Sequence, residues 1–528
     1  MRFNTVGRAS KRTRGLVLSA MAAAVALNLT PSVALADWLK AESRRFIVYS
    51  NGSERDLREM VTELERFDTT LRMFMNRDQD AETYRKLPVY VLSSSDMRLL
   101  LNDNARQLAG FYTVSDEDIF AISRREDEGF HTLKHEYAHH FMASEFNSAY
   151  PAWFVEGFAE FYAPTEFTSS AIHVGKPNSN RAQTLFHVRW MPLTQVLTTR
   201  PFEVRENRES YYPLAWLLTH WFLSDDERRG QLAQYMRLLS EGVDSVTALQ
   251  QATGYTPAEL TPVLRRYLRG RLSYRGVRTR LPEPDMTITR LPPSADDLLL
   301  LGQKLKSGES EEQRARTLQL VRARAANHAD DPMALTVLGH AELHNAQDAD
   351  AAEAALTRAL EIDPDHVEAL QYMARVYMQR AEKADDFDQA IQLRRVAQGY
   401  LGRAFEADDV NYITFSLLAQ NRSYSPGYPS ANDLETLALA YRLAPSMSGI
   451  AMNYAHALMA HDRHAEAVPI IQIVANNPHS PPPPYVLEAL REARRMTADD
   501  VAAEEARIAE QTAAEEAATV DDDEPDQP

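Results

Sequence analysis

The chain has 528 residues, of which 44% are hydrophobic, so it is long enough for two or three domains with cores of their own. Its formal net charge of −18 makes nucleic acid and anionic membranes poor partners. It contains no cysteine, which excludes disulfides and thiolate metal ligands and leaves His and carboxylate side chains for any metal site.

The first 36 residues have the pattern of a secretory signal peptide. Five basic residues precede an apolar run over 16–29, and Ala34-Leu35-Ala36 forms a small-x-small cleavage site. Polar residues and Pro31 interrupt the apolar run before it reaches the roughly 20 residues that a membrane span needs. The sequence therefore predicts an exported protein, periplasmic or extracellular, without a stable membrane span.

Short strands and one long helix come next. Apolar runs over 46–49 and 87–92 indicate strands, and helical periodicity extends over 53–75. Residues 109–112 and 118–122 read as an edge strand. This order predicts a small sheet ahead of the helices that carry the most informative motif, and hence an α+β region.

That motif is His135-Glu136-Tyr137-Ala138-His139. On a helix, residues four apart leave the same face about one turn from each other, so His135 and His139 suit two corners of a tetrahedral zinc site. Glu136 lies on the neighbouring edge, within reach of a water at the open position of such a site. His140 faces about 100° away from His139 and is left out of the ligand set.

A second helix is predicted from Pro151 onward. Gly157 inside this helix costs about 1 kcal/mol relative to Ala, so it needs a reason, such as close approach of the first motif helix. Glu156 and Glu160 lie one turn apart on the same face. Because a metal-bound imidazole usually donates its second N–H to a carboxylate, Glu160 is a candidate partner for His135, although a plain surface glutamate is the alternative.

The motif, the 16 residues that follow it and the Trp-Phe-x-Glu-Gly-x-Ala setting of Glu156 resemble the gluzincin metallopeptidases. Within that clan the chain is most similar to a bacterial group of peptidase MA-like proteins. The resemblance implies that His135, His139 and Glu156 bind Zn²⁺ and that Glu136 is the general base. It also implies that an edge strand pairs with extended substrate. The aminopeptidases' Gly-x-Met-Glu-Asn stretch is absent from the sequence, so aminopeptidase activity is not supported.

Members of the aminopeptidase type carry a later tyrosine that stabilises the oxyanion. The matching place here is the stretch 209–216, and aligning Ala215 with the small residue of the family pattern selects Tyr211. Tyr212 is the fallback, because sequence cannot separate an adjacent pair. The alternative is that both tyrosines pack in the core.

The rest of the chain is predicted to be helical. Helices continue to about 272, and a Pro-rich stretch over 281–296 reads as a linker. Beyond it, small residues and prolines recur with a period of roughly 34 residues, which resembles degenerate tetratricopeptide repeats. Non-repeat helical packing is the alternative. Residues 497–528 carry twelve acidic side chains and one basic one, so this tail is predicted to be largely disordered.

The complete prediction is an α+β gluzincin-like catalytic domain followed by an all-α tetratricopeptide-like solenoid. The segments are a signal peptide (1–36), the metallopeptidase domain (37–280), the linker (281–296), the repeats (297–496) and the tail (497–528). The predicted function is hydrolysis of peptide bonds with Zn²⁺ as cofactor, while the repeats bind a protein or peptide. The alternatives are a non-catalytic envelope scaffold that acts through its repeats, and a hydrolase of non-protein amides.

Overall fold

The computed structural model describes residues 37–80, 85–101, 108–127, 130–146, 148–478, 480–499 and 501–502. The predicted signal peptide and most of the predicted acidic tail lie outside these residues. Among the described residues, no helix combines the length and apolar character that crossing a bilayer requires.

The N-terminal region, residues 37–290, is built on a mixed sheet. Its order is β4-β5-β3-β2-β1-β9, with β2, β3 and β5 parallel and the other neighbours antiparallel. A second, three-stranded sheet has the order β6-β7-β8. The strands are β1 (Leu39–Glu42), β2 (Phe46–Ser50), β3 (Leu87–Leu92), β4 (Gly110–Val114), β5 (Ile119–Arg124), β6 (Glu166–Phe167), β7 (Ala171–Val174), β8 (Arg275–Arg278) and β9 (Thr287–Arg290).

Helices cover this sheet and complete the region. The first begins after Ser53, whose hydroxyl accepts a hydrogen bond from the Asp56 N–H, as expected of an N-cap. The predicted α+β character is therefore present. The helices are α1 (Glu54–Phe74), α2 (Ser94–Leu101), α3 (His131–Glu145), α4 (Ala152–Tyr162), α5 (Ser179–His187), α6 (Leu193–Thr198), α7 (Tyr211–Leu223), α8 (Asp226–Ser240), α9 (Ser245–Thr253) and α10 (Pro257–Arg269).

Gly157 allows α4 and α7 to cross in close contact. A Cβ atom at this position would lie 2.1 Å from Thr219 Oγ1 and 2.5 Å from the carbonyl oxygen of Ala215. The glycine thus has a packing reason, but the expected neighbour is wrong: the helix that approaches it is α7, not the motif helix α3.

The predicted linker, 281–296, also differs from expectation. Residues Thr287–Arg290 form β9, which pairs antiparallel with β1 at the edge of the sheet opposite β4. Thr287, Ile288 and Thr289 are β-branched and favour a strand, but the surrounding prolines dominate the composition of the stretch. The connection is consequently part of the N-terminal region rather than a free spacer.

The repeat region, residues 294–475, consists of five successive helix pairs. Small residues lie where paired helices cross: a Cβ atom on Gly339 would approach Leu356 to 2.6 Å, and Ala374 and Ala455 are fully buried. The chain therefore contains the predicted helical repeats. The helices are α11 (Ser294–Lys306), α12 (Glu311–Ala325), α13 (Pro332–Ala341), α14 (Ala349–Ile362), α15 (Val367–Glu382), α16 (Phe387–Ala407), α17 (Tyr412–Arg422), α18 (Ala431–Leu443), α19 (Ser448–Ala460) and α20 (His464–Ala475).

The repeat region packs directly on the N-terminal region. The Tyr90 hydroxyl on β3 donates to Gln303 Oε1 on α11 at 2.9 Å, and the Tyr112 hydroxyl on β4 donates to Ser446 Oγ, just before α19, at 3.2 Å. One continuous apolar core also contains side chains from both regions. The repeat region therefore packs beside the edge strand β4.

Candidate metal centre

Two imidazoles converge on one face of α3. The Nε2 atoms of His135 and His139 lie 3.1 Å apart, and the ring planes are nearly perpendicular at 85°. This is the arrangement that the i, i+4 spacing predicts, because residues separated by one helical turn share a face. His139 is buried, whereas His135 is partly exposed.

Glu156 on α4 supplies a third candidate ligand atom. Its Oε2 atom lies 3.7 Å from His135 Nε2 and 3.5 Å from His139 Nε2, and the side chain is 1% exposed. Bonds of 2.0–2.1 Å to a tetrahedral ion place neighbouring ligand atoms about 3.3 Å apart. Two imidazole nitrogens and one carboxylate oxygen at these separations fit a Zn²⁺ ion that keeps its fourth position open.

The charge of Glu156 acts on the neighbouring imidazole. Burial alone would lower the pKa of His139, but the carboxylates around it, Glu156 first among them, outweigh burial and raise the pKa. A buried negative charge in contact with both rings favours a cation at this point. The electrostatics and the donor set therefore agree.

Glu160 lies behind His135, as the sequence predicts. Its Oε1 atom is 3.5 Å from His135 Nδ1, and its Oε2 atom accepts a 2.9 Å hydrogen bond from the Asn178 side chain. Arg181 forms an ion pair with the same carboxylate. Burial would raise the pKa of Glu160, but His135 and Arg181 outweigh it and the pKa is lowered. The carboxylate is thus ionised and can orient the imidazole.

Asn178 and Arg181 were not predicted from the sequence. They belong to the start of α5, more than fifteen residues beyond the motif helices, and Asn178 is also the N-cap of α5. An N-cap asparagine followed by an arginine is common in surface helices, so only the fold reveals that both side chains reach Glu160.

Glu136 is held beside the ligands by the edge strand. Its Oε2 atom accepts a 2.9 Å hydrogen bond from the backbone N–H of Tyr112 on β4. The carboxylate is partly buried. The structure therefore fixes one carboxylate oxygen of Glu136 between the motif helix α3 and strand β4.

The structure distinguishes the two candidate tyrosines. The Tyr211 side chain is fully buried, and its hydroxyl donates to the carbonyl of Thr199 at 3.1 Å. The Tyr212 ring is partly exposed and stacks against Arg181, and no described residue forms a hydrogen bond with its hydroxyl. Burial, together with the charge of Glu156, raises the pKa of Tyr212 to about 12, so the phenol keeps its proton. These positions favour the fallback residue, Tyr212, over Tyr211.

A cleft of about 510 Å³ opens beside His139, one of the three candidate ligands. It is lined by β4 and α3 on one side and by the repeat region on the other, including Val114, His139, Ser446 and Ile473. At its end the Tyr112 hydroxyl contacts His140 Nδ1 at 3.2 Å, which separates His140 from the ligand set. Burial lowers the pKa of His140 to about 3, so this imidazole is neutral.

Comparison with known proteins gives one family match. Residues 130–243 match the family described as "Protein of unknown function (DUF1570)", a range that includes the three candidate ligands, Glu136 and both tyrosines. No match was found among curated proteins.

Solved structures of repeat proteins are similar over part of the chain. A thermophilic tetratricopeptide-repeat protein of Thermus thermophilus is 15% identical, covering 39% of this chain and 98% of its own, with a TM-score of 0.32. MamA of Desulfovibrio magneticus RS-1, from residue 41 to its end, is 17% identical. The match covers 38% of this chain and 96% of MamA, with a TM-score of 0.26. A tetratricopeptide repeat protein from Parabacteroides merdae ATCC 43184 is 12% identical. The match covers 52% of this chain and 88% of that protein, with a TM-score of 0.27.

Proposed function

We propose that this protein is an exported, zinc-dependent peptidase. The observation that carries the proposal is the convergence of two imidazole nitrogens and one buried carboxylate oxygen, with the Glu136 carboxylate fixed beside them. A purely structural zinc site has four protein ligands and no use for a base, whereas three ligands and an adjacent carboxylate are typical of hydrolytic centres. Export is proposed from the composition of the first 36 residues.

Each side chain has a distinct task in this proposal. His135, His139 and Glu156 would hold Zn²⁺, which supplies Lewis-acid polarisation of water and of the scissile carbonyl. Glu136 takes a proton from the attacking water and delivers it to the leaving nitrogen. Its Oε1 atom is assigned this transfer, because Oε2 accepts from the Tyr112 N–H. The Tyr212 hydroxyl donates a hydrogen bond to the oxygen on which charge develops.

The edge of β4 that faces away from β5 supports an extended peptide as substrate. The N–H of Tyr112 points to Glu136 and therefore away from the partner strand β5. The alternation of an antiparallel ladder turns the N–H of Val114 the same way, and Val114 lines the cleft. Because the Tyr112 N–H donates to Glu136, an extended backbone would pair with this edge through the N–H of Val114, as in strand addition.

The decisive experiment compares two matched carboxylate variants. Glu136→Gln should lower kcat on a broad peptide library by about 10²–10⁴-fold and leave the zinc content unchanged. Glu126→Gln makes the same chemical change on an exposed side chain in the loop before α3 and should leave both quantities unaltered. Equal activity of Glu136→Gln and the unmodified protein would refute the assignment of the base.

The repeat region also favours a second candidate function, protein binding without catalysis. Its five helix pairs form the kind of extended surface on which repeat proteins bind partners. The same experiment separates the two candidates. The scaffold explanation would be supported if the unmodified protein and Glu136→Gln were equally inactive on all peptides while a partner co-purified through the repeats.

A further inference from the structure

A second cluster of metal-ligating side chains lies where the two regions meet. Among the described residues, the ligand atoms of Glu117, His340 and His344 form one of two sets of three that lie within 4.8 Å of one another. Glu117 lies in the turn between β4 and β5, His340 in the last turn of α13, and His344 in the π-helical turn Glu342–Ala346. The cluster therefore draws its members from both sides of the interface.

The two histidines repeat the geometry of the pair on α3. The rings of His340 and His344 have centroids 5.0 Å apart and planes at 87°, compared with 4.7 Å and 85° for His135 and His139. His344 owes its position to the π-helical turn, a rare conformation that is frequent at functional sites. Both pairs thus direct two imidazoles to a shared point next to a carboxylate.

The hydrogen bonds of Tyr372 determine which nitrogen of His340 faces that point. The Tyr372 hydroxyl lies 2.8 Å from Glu117 Oε2 and 2.9 Å from His340 Nδ1. Because an ionised carboxylate only accepts hydrogen bonds, the hydroxyl donates to Glu117 and accepts from His340 Nδ1–H. His340 Nε2 then faces Glu117 Oε2 at 3.4 Å. Two lone pairs would repel at this distance, so a cation, either a proton or a metal ion, must lie between them.

His344 points to a metal ion rather than a proton. Its Nε2 atom is buried without a hydrogen-bond partner among the described residues, and it lies 4.0 Å from Glu117 Oε1. That distance is too long for a hydrogen bond.

The charges around the cluster leave the carboxylate ionised. Burial would raise the pKa of Glu117, but His340 and Arg375 outweigh it and hold the pKa well below its usual range. Lys306 is paired with Glu368 on the same side of the interface. Arg375 and Arg314 are positive charges near the cluster that a bound ion would have to tolerate.

We propose that Glu117, His340 and His344 form a second binding site for a divalent transition-metal ion such as Zn²⁺. Tyr372 is a positioning residue, since it fixes the ring of His340 and one oxygen of Glu117. An ion held here ties the turn after β4 to α13 and so fixes the repeat region against the strand that flanks the cleft. This site is separate from the proposed peptidase centre and does not depend on its activity.

The test measures zinc stoichiometry in the full chain. Chelator-treated protein is titrated with zinc chloride against a chromophoric competitor, in a His135→Ala background that disables the first site. One equivalent should remain in His135→Ala and none in His135→Ala/His344→Ala. His456→Ala, which changes an exposed histidine of α19, should retain one equivalent in the same background. Circular dichroism checks that each variant is folded.

Two further readouts keep the proposal falsifiable if the double variant is unstable. Tyr372→Phe should weaken zinc binding about 10–100-fold, as loss of an outer hydrogen bond typically does. Zinc should also increase the hydrogen-exchange protection of residues 115–118. The proposal is overturned if His135→Ala binds no zinc, or if removing His344 leaves the stoichiometry unchanged, because a proton alone would then hold Glu117 and His340 together.

Discussion

Replacing Gly157 by Ala tests the link between helix packing and the metal centre. A helical Gly→Ala change ordinarily stabilises a protein by about 0.5–1 kcal/mol. Here the new Cβ atom would lie 2.5 Å from the carbonyl oxygen of Ala215, which belongs to the backbone and cannot rotate away. Restoring ordinary contact requires α4 and α7 to separate by about 0.5–1 Å, and overpacking of this kind costs about 1–3 kcal/mol. We therefore expect a net loss of stability despite the better helix former.

The same displacement should disturb zinc binding. Glu156 precedes Gly157 on α4, and a ligand has to stay within about 0.2 Å of its ideal distance, so a shift of about 0.5 Å or more is too large. Gly230→Ala is the matched control, because a Cβ atom on this glycine of α8 meets nothing within 4 Å. The control should be as stable as the unmodified protein or more so, with full zinc content.

Tryptophan fluorescence makes this measurement specific to the relevant region. All five tryptophans lie in the N-terminal region, and three of them, Trp153, Trp216 and Trp221, are on α4 and α7. Denaturant unfolding of the zinc-free protein then reports the packing cost, and a chelator competition reports the loss of affinity. The reasoning is refuted if Gly157→Ala matches Gly230→Ala in both stability and zinc binding.

Three further predictions concern the same centre. Glu160→Gln should weaken zinc binding about 10–100-fold in a chelator competition, because the partner of His135 Nδ1 loses its charge. Tyr212→Phe should lower kcat by about 10²-fold at unchanged zinc content, whereas Tyr211→Phe should leave kcat unaltered and cost about 1 kcal/mol in unfolding measurements; the reverse pattern would restore Tyr211 as the oxyanion donor. Once the pH drops below the raised pKa of His139, protons compete with the zinc ion for the imidazole. Zinc affinity should then fall by about tenfold per pH unit for each proton displaced. An affinity that stays independent of pH down to about pH 5 would contradict this prediction.

Local periodicity accounts for much of what the sequence predicts. The proximity of His135 and His139 follows from helix geometry alone, and short apolar runs locate the central strands. The helical repeats are visible because small residues recur at the crossings. In each of these cases the signal and the structural consequence lie within one element or one repeat of the chain.

Tertiary docking decides the rest. The pair Tyr211 and Tyr212 begins α7, so which of the two faces the metal centre depends on how that helix packs, not on its own sequence. Strand β9 lies in a Pro-rich stretch and was not predicted. Its partner β1 is almost 250 residues away, so no local pattern shows the pairing. His340 and His344 show the same spacing as the motif pair, but their carboxylate partner, Glu117, is more than two hundred residues distant. No local pattern connects such residues.

The contacts of Tyr112 connect the repeat region to the candidate site. Its backbone N–H fixes Glu136, and its hydroxyl contacts both His140 on the metal helix and Ser446 of the repeats. Burial raises the pKa of Tyr112 to about 12, so the hydroxyl remains a donor and these contacts persist at neutral pH. A movement of the repeats against β4 would consequently shift the backbone that positions Glu136. The repeat region therefore lines the cleft and also supports the strand that positions Glu136.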